Sequence, residues 1–482
     1  MQDAVVVGSG PNGLAAAVTL ARAGLAVTVF EGADGVGGGT ASAELIETGV
    51  INDVCSAVHP MALASEFFRR FELERRIELL VPEISYGHPL DGGRAAIAYR
   101  GLDRTASELG ADGAAWRRLF SPFTRDGGRA LGQSIGASLV GIPRHPLTLL
   151  RFGLRALRHA TAAGNGAFEG EEARALLTGV FAHTIQRMPS LGSSAAGLAL
   201  AAFGHAGGWP IPRGGSGAIA GALAGDLVAH GGRIETGTWI SSLDELPPAR
   251  ITVLDITPRA FVELAGERMR SAARYRRFRY GNAAAKVDMV LSEPVPWANT
   301  QLREAVTVHV GGTRAEMVAA ERAVASGSHA AQPYVLVSQP TVLDETRAPG
   351  RHVLWAYTHV PAGSGDDPTE SIVSRIERFA PGFRDTIVAS VSRSAQQLDS
   401  HNPNDVAGDI ASGAVNGWQL IARPTFGPHP WATPLKGVYL CSASTVPGPG
   451  VHGLGGWNAA RLALRTEFGM TEGPDLSYSG TY

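Results

Sequence analysis

Three glycines and one glutamate near the start of the chain have the spacing of a clamp for the ADP half of a dinucleotide. Gly8-Ser9-Gly10-Pro11-Asn12-Gly13 follows the apolar run Ala4–Val7 and precedes the Ala/Leu-rich stretch Leu14–Ala23. Gly24 stops that helix, Leu25–Phe30 alternates like a second strand, and Glu31 stands at its end. The order strand, glycine turn, helix, strand, acid is that of a mononucleotide-binding unit, with the acid about 20 residues past the glycines. Gly8 makes the tight turn, Gly10 admits the pyrophosphate, and Gly13 lets helix and strand pack closely. The helix start at Pro11 and Asn12 offers N–H groups and a dipole to phosphate. Glu31 is placed to accept hydrogen bonds from a ribose. The loop Gly32–Thr40, with Gly37, Gly38, Gly39 and Thr40, allows a second close backbone approach, or is a flexible surface loop.

Other residues with chemical capacity are scattered. Lys286 opens an apolar strand after Asn282-Ala283-Ala284-Ala285, as a buried functional amine or as a surface lysine at a strand edge. His59, in Cys-Ser-Ala-Val-His-Pro, is a candidate acid or base, and a hydrogen-bonded structural histidine is its alternative. His452 lies in a glycine-rich loop, facing substrate or cofactor, or else water. Cys55 reads as a small buried hydrophobe. Trp355, Tyr357 and His359 alternate onto one face of Val353–His359, and Tyr334 sits on another extended segment. Together they suit an aromatic substrate wall or ordinary core packing. No nucleophilic triad and no metal cluster is visible.

The chain has 482 residues, 44% hydrophobic and 18% charged, with a formal net charge of −2. That length suits two domains, and that charge gives no reason to expect nucleic-acid binding. Two cysteines without a CxxC argue against a disulfide framework and a dithiol shuttle. The nucleotide unit begins at residue 4, no apolar run approaches the roughly 20 residues of a membrane span, and a cytoplasmic protein is expected. Residues 146–160 place Leu147, Leu150, Leu154 and Leu157 on one stripe and Arg151, Arg155 and Arg158 on another. This basic amphipathic helix suits peripheral membrane contact, or is a solvated face.

Helices with basic faces fill about 82–208. Ala218–His230 is a helix, Ile234–Leu243 and Ile251–Ile256 are strands, and Val287–Leu291, Thr307–Val310, Tyr334–Val337 and Val353–His359 are extended. Helices over Thr313–Ser326 and Ser371–Phe379 interleave with these. A strand at Gly437–Cys441 leads through a glycine-rich loop to a helix over Trp457–Glu467. The chain thus leaves and re-enters its nucleotide domain. The division is 1–81, 209–280 and 411–482 for the cofactor domain, and 82–208 and 281–410 for the substrate domain.

The motifs GSGPNGL (8–14), DVCSAVHP (53–60), HPLDGGRA (88–95), RGGSGAI (213–219) and NPNDVAGDI (402–410) carry a resemblance, as do RPTFGPHPWATPLKGVYLCSAST (423–445) and PGPGVHGLGGWNAA (447–460). In this order they resemble the phytoene dehydrogenase-like branch of the FAD-dependent amine oxidase superfamily. Within it, the chain is similar to the type labelled pyridine nucleotide-disulfide oxidoreductase domain-containing. The resemblance implies an α/β chain: a glutathione-reductase-like, discontinuous Rossmann-type FAD domain, plus an α+β substrate domain with a mixed or antiparallel sheet. It implies FAD as cofactor, with Ile240, Ser444, Val451, Gly453 and Leu454 joining the glycines and Glu31 around it. Gly453 and Leu454 would donate to the flavin ring, and Lys286 would reach it through a water. Two departures stand out: no arginine follows Gly37-Gly38, and Ala407 stands where glycine is expected.

The expected activity is removal of hydride from a hydrophobic or polyene-like small molecule to the flavin, as desaturase, dehydrogenase or oxidase, with reoxidation by oxygen or a quinone. Redox-neutral double-bond isomerisation and a mainly interacting flavoprotein are the alternatives. A homo-oligomer is compatible with the chain.

Overall fold

A computed structural model describes residues 2–480 apart from 139, 141, 142, 270 and 271, and of 162, 163 and 165 the backbone alone. Five parallel strands make the first sheet: β1 (Gln2–Val7), β2 (Val27–Phe30), β5 (Arg233–Glu235), β6 (Ala249–Leu254) and β12 (Val438–Leu440), in the order β12-β6-β1-β2-β5. Ala4 to Val7 and Val27 to Phe30 are buried throughout, the apolar run that a parallel strand covered on both faces requires. On one face lie α1 (Pro11–Arg22), α5 (Gly217–Ala229) and α7 (Leu454–Phe468), closing a core of Val6, Ala16, Leu20, Leu223 and Ala460.

The second sheet has seven strands, β3 (Ile84–Leu90), β4 (Arg94–Tyr99), β7 (Ala283–Leu291), β8 (Thr307–Val310), β9 (Val335–Ser338), β10 (His352–Val360) and β11 (Ile387–Arg393). Their order is β11-β7-β10-β9-β8-β3-β4. All pairs are antiparallel except β8 with β3, so the sheet is mixed. Alternation gives it two different faces. Val287, Met289, Val308, Val335, Val337 and Leu354 pack under α6 (Thr369–Glu377) in an apolar core. The opposite face carries Lys286, Tyr357, His359, His309, Tyr86 and His88. It meets α2 (Pro146–His159), α3 (Glu171–Phe181) and α4 (Leu191–Ala206) across the second core.

The strand expected over Ile234–Leu243 ends at Glu235 instead. Gly237, at φ +63°, turns the chain back so that its N–H donates to the Ala33 carbonyl and that of Thr238 to the Glu31 carbonyl. The last helix starts at Leu454, three residues before the expected Trp457. Its Gly455 and Gly456 lie against α1, where a Cβ on Gly456 would fall 1.7 Å from the Asn12 carbonyl oxygen.

Candidate active-site cavity

Asp255, the residue after β6, explains the glycine loop. A Cβ on Gly10 would stand 2.7 Å from Asp255 Oδ2, and one on Gly13 would stand 2.1 Å from the Gly8 carbonyl oxygen. Neither fits. The Gly13 N–H donates to Asp255 Oδ2 at 2.8 Å. Burial, with the nearby Glu31 charge adding to it, pushes the Asp255 carboxyl up from 3.8 to about 7. The folded protein therefore holds a proton that the unfolded chain releases near pH 4, and its stability falls as pH rises from there to about 7. Asp255→Asn is expected to flatten that decline, read as the urea midpoint across the same window.

Glu31 is held as a rim for the same loop. Its Oε2 accepts from the Ser9 N–H at 2.7 Å and the Ser9 hydroxyl at 2.6 Å, and its Oε1 from the Ala33 N–H. α1 starts with Pro11 and no side-chain cap, so its first-turn dipole faces the cavity that Gly8, Gly10 and Asn12 line.

That cavity holds about 1370 Å³ and is continuous from Glu31 and Trp239 to the aromatic sheet face and the helices α2 and α4. Of the residues singled out by sequence for a dinucleotide, Gly8, Gly10, Pro11, Asn12, Glu31, Gly38, Gly39, Thr40, Ile240 and Val451 line it. Gly13 and Gly37 stand behind the wall as turn and packing residues. Ser444 is buried, its hydroxyl donating to the Ser412 carbonyl. The structure moves Gly453 and Leu454 away from the expected donor position. The Leu454 N–H is taken by His452 Nδ1 at 3.0 Å and that of Gly455 by Asn12 Oδ1, because α7 packs its start on α1. Gly450 and Val451 are the wall at that end.

His452 is likewise committed to the loop. It is buried, its Nε2–H donates to the Gly448 carbonyl at 3.1 Å, and burial drives it down to about 4, so it stays neutral. The expected water-facing or substrate-facing side chain is thus corrected to a loop brace. Lys286 is corrected too, being neither at the surface nor open to the cavity. Its ammonium donates to the carbonyls of Asp53 at 3.0 Å and Val54 at 2.7 Å and pairs with Asp288 at 2.9 Å. Three donors meet three acceptors, which leaves none for a bridging water. His59 lines the cavity, hydrogen-bonded through Nε2 to the Ser216 hydroxyl at 2.8 Å, and burial lowers it to about 4. Cys55 lines the cavity as well; burial, then Asp405, raises its thiol to about 12, so it remains protonated.

On the sheet face, Trp355 and Tyr357 line the cavity, edge to face at 5.2 Å. Tyr334 and His359 stand one layer behind. The Tyr334 hydroxyl donates to the Gly179 carbonyl, and His359 Nδ1 meets Glu321 Oε1 at 2.5 Å. Next to them is a pair not anticipated from sequence, His183 and His309, joined Nε2 to Nε2 at 2.9 Å. One proton fits between two nitrogens, so the pair carries at most one such hydrogen. Burial lowers His183 to about 3 and His309 well below its ordinary value. His183 is half-buried on the cavity wall and its Nδ1 has no protein partner, whereas Nδ1 of His309 is sealed from solvent. Two residues on, Ile185 adopts φ +49°, a left-handed backbone that a β-branched residue takes only under constraint.

The loop 402–410 closes the cavity between the two sheets. The Asn404 amide donates to the Asp255 carbonyl, and Asn404 Oδ1 accepts the Thr257 N–H. Ala407, at the position where glycine was expected, has φ +56° and so carries strain that glycine would not. Asp405 lines the cavity; burial, then Asp409, raises it to about 8, so it bears a proton at neutral pH. It too went unnoticed in the sequence. Among the described residues no cluster of three or more His, Cys, Asp or Glu could hold a metal ion.

Residues 6–71 match the family described as NAD(P)-binding Rossmann-like domain. Over its length the chain is 25% identical to the rat protein pyridine nucleotide-disulfide oxidoreductase domain-containing protein 2, covering 96% of this chain and 93% of that one. Among solved structures, a putrescine oxidase matches with TM-score 0.56 and 17% identity, over 96% of this chain and 98% of its own. Cyclohexylamine oxidase from Brevibacterium oxydans matches with TM-score 0.56 and 15% identity, over 96% and 97%. The chain shares the overall fold of these two oxidases. Its relatives include the pyridine nucleotide-disulfide oxidoreductase domain-containing proteins, a type to which the sequence motifs already pointed. No helix among the described residues is long and apolar enough to cross a membrane.

Proposed function

We propose that the chain is an FAD-dependent oxidoreductase that removes hydride from a hydrophobic or polyene-like small molecule. The observation that carries this reading is the single cavity running from the glycine loop and Glu31 into an apolar, aromatic chamber. The dinucleotide end fits the cofactor: a glycine turn that lines the cavity with backbone, an uncapped helix start, and the Glu31 carboxylate just past the end of β2. Gly8, Gly10, Asn12, Glu31, Gly38, Gly39 and Thr40 would hold it, and Ile240 and Val451 would cover it. Bound there, FAD supplies a two-electron acceptor that the side chains do not.

The chain's own residues do the rest. Phe152, Ala156, Leu191, Ala199, Phe203 and Leu336 line the chamber and exclude water. Trp355 and Tyr357 orient a flat or chain-like apolar body. His183 and His59 both line the cavity with Nε2 engaged and Nδ1 without a protein partner, and are the groups placed to take a proton, whereas the donors of Lys286 are already spent. The amine oxidase neighbours raise an amine as an alternative substrate, and redox-neutral isomerisation or a mainly interacting role would use the same cofactor site.

Purification and an absorption spectrum, followed by anaerobic titration with a polyene panel and an amine panel, test the proposal. The expected result is a yellow protein bleached by a polyene or similar apolar compound, with colour restored by oxygen or a quinone. Product without bleaching supports isomerisation, bleaching by amines alone overturns the substrate class, and a protein that takes up no FAD overturns the whole.

A further inference from the structure

Helix α2 is apolar on two sides. Inward, Phe152 and Ala156 are buried and, with Leu149 and Gly153, wall the cavity. Outward, Leu147, Leu150, Leu154 and Leu157 are between 55% and 67% exposed. Their spacing of three, four and three residues sets them in one line along the helix. A surface helix that had finished its packing inward would carry polar residues there. A second patch lies in the loop 418–426, where Trp418 and Phe426 are 66% and 61% exposed, stacked on each other at 5.8 Å and 19°. The two patches share a rim. The Ser138 hydroxyl donates to the Gly427 carbonyl at 3.1 Å, and Leu157 and Ile421 line the same cavity. Exposed apolar area of this kind marks a docking surface.

Charge selects what docks. Residues 143–160 contain Arg144, Arg151, Arg155 and Arg158 and no acid, and residues 410–466 contain no Asp or Glu, in a chain whose net charge is −2. Beside α2, Arg118, Arg155 and Arg158 stand at a cleft of about 370 Å³ whose remaining wall is Ala115, Leu119, His159, Ala167 and Phe168. A second copy of the chain, related by a two-fold axis, would bring these arginines against each other. We propose that α2 and the Trp418–Phe426 loop seat the protein on an anionic lipid surface, with the cavity opening beside Leu157 into the interface. Leucines would enter the headgroup boundary while the arginines meet phosphates, the arrangement of an interfacial amphipathic helix. This inference stands whether or not the redox reading does.

Flotation of the full chain with vesicles tests it, using phosphatidylcholine alone and phosphatidylcholine with about 30 mol % phosphatidylglycerol, near the charge of an anionic leaflet. The wild-type protein is expected to float with the anionic vesicles and to be released by high salt. Leu150→Glu/Leu154→Glu should lower the bound fraction tenfold or more, with circular dichroism and thermal midpoint unchanged because both side chains are exposed. Arg151→Glu/Arg158→Glu should abolish the preference for anionic lipid. Trp418→Ser, in the other patch, gives a second reading should the helix variants fail to fold, and is expected to weaken binding as well. The proposal is overturned if the wild-type protein floats with neither vesicle, or if the variants bind as it does. It is also overturned if the leucines hold together a dimer that ignores vesicles.

Discussion

Gly13→Ala is expected to purify without colour, at least a hundredfold weaker in flavin affinity than the wild-type protein. The added Cβ would lie 2.1 Å from the Gly8 carbonyl oxygen, with further contacts to Asp255 at 3.0 Å and 3.1 Å. Those neighbours are backbone and the stem of a short buried side chain, so nothing yields except the helix itself. Pushing α1 away from β1 opens the turn that presents Gly8 and Gly10, and overpacking of this kind costs about 1–3 kcal/mol in stability besides. Gly225→Ala, on α5 with nothing within 4 Å of the new atom, is the matched control and keeps its colour. The 450 nm absorbance of each protein, after incubation with excess FAD, decides it.

Arg347→Met is expected to cost about 3–5 kcal/mol of stability, the range for stripping one partner from a buried ion pair. Arg347 is fully buried, its guanidinium held at 2.5 Å by Asp53, at 3.3 Å by Asp344, and at 3.0 Å by the Pro212 carbonyl. Methionine matches the bulk and strips Asp53 of its guanidinium partner, leaving Asp344 with Arg213 alone at 3.6 Å. The consequences reach the cavity, because Asp53 also accepts from the Ser42 hydroxyl and the Ser216 N–H, and Ser216 in turn holds His59. Lys286 grips the backbone of the same turn. Urea unfolding of the two proteins measures the loss, and an unchanged midpoint would show that the pair contributes nothing.

What could be read from sequence was local. The glycine turn, α1, β2 and Glu31 lie within one stretch of 24 residues, 8–31, where spacing alone fixes the geometry. The alternation Trp355, Tyr357, His359 correctly marks one face, yet only the first two reach the cavity, since His359 is held by Glu321, a partner distant in sequence. Long-range partners were invisible. Asp255 stands 242 residues from the Gly13 N–H it accepts, and His309 stands 126 residues from His183. Neither carries a local signature: one is an acid ending a strand, the other a single histidine among valines. Lys286 shows the reverse case, a residue whose type and neighbours suggested chemistry but whose three protons are spent on Asp53, Val54 and Asp288. The same holds for Gly453 and Leu454, whose glycine-rich context serves the crossing of two helices.

The first sheet draws its strands from residues 2–7, 27–30, 233–235, 249–254 and 438–440. During synthesis the opening hairpin of strand and helix therefore waits through some two hundred residues for its next neighbours, and through four hundred for the last. α5 can cover part of α1 earlier, but the side where Ala15 and Ala16 meet Gly453 and Gly456 stays uncovered until α7 has left the ribosome. A chain halted anywhere before that point exposes that side of α1, and quality control should meet it as unfinished however well its remaining parts have folded.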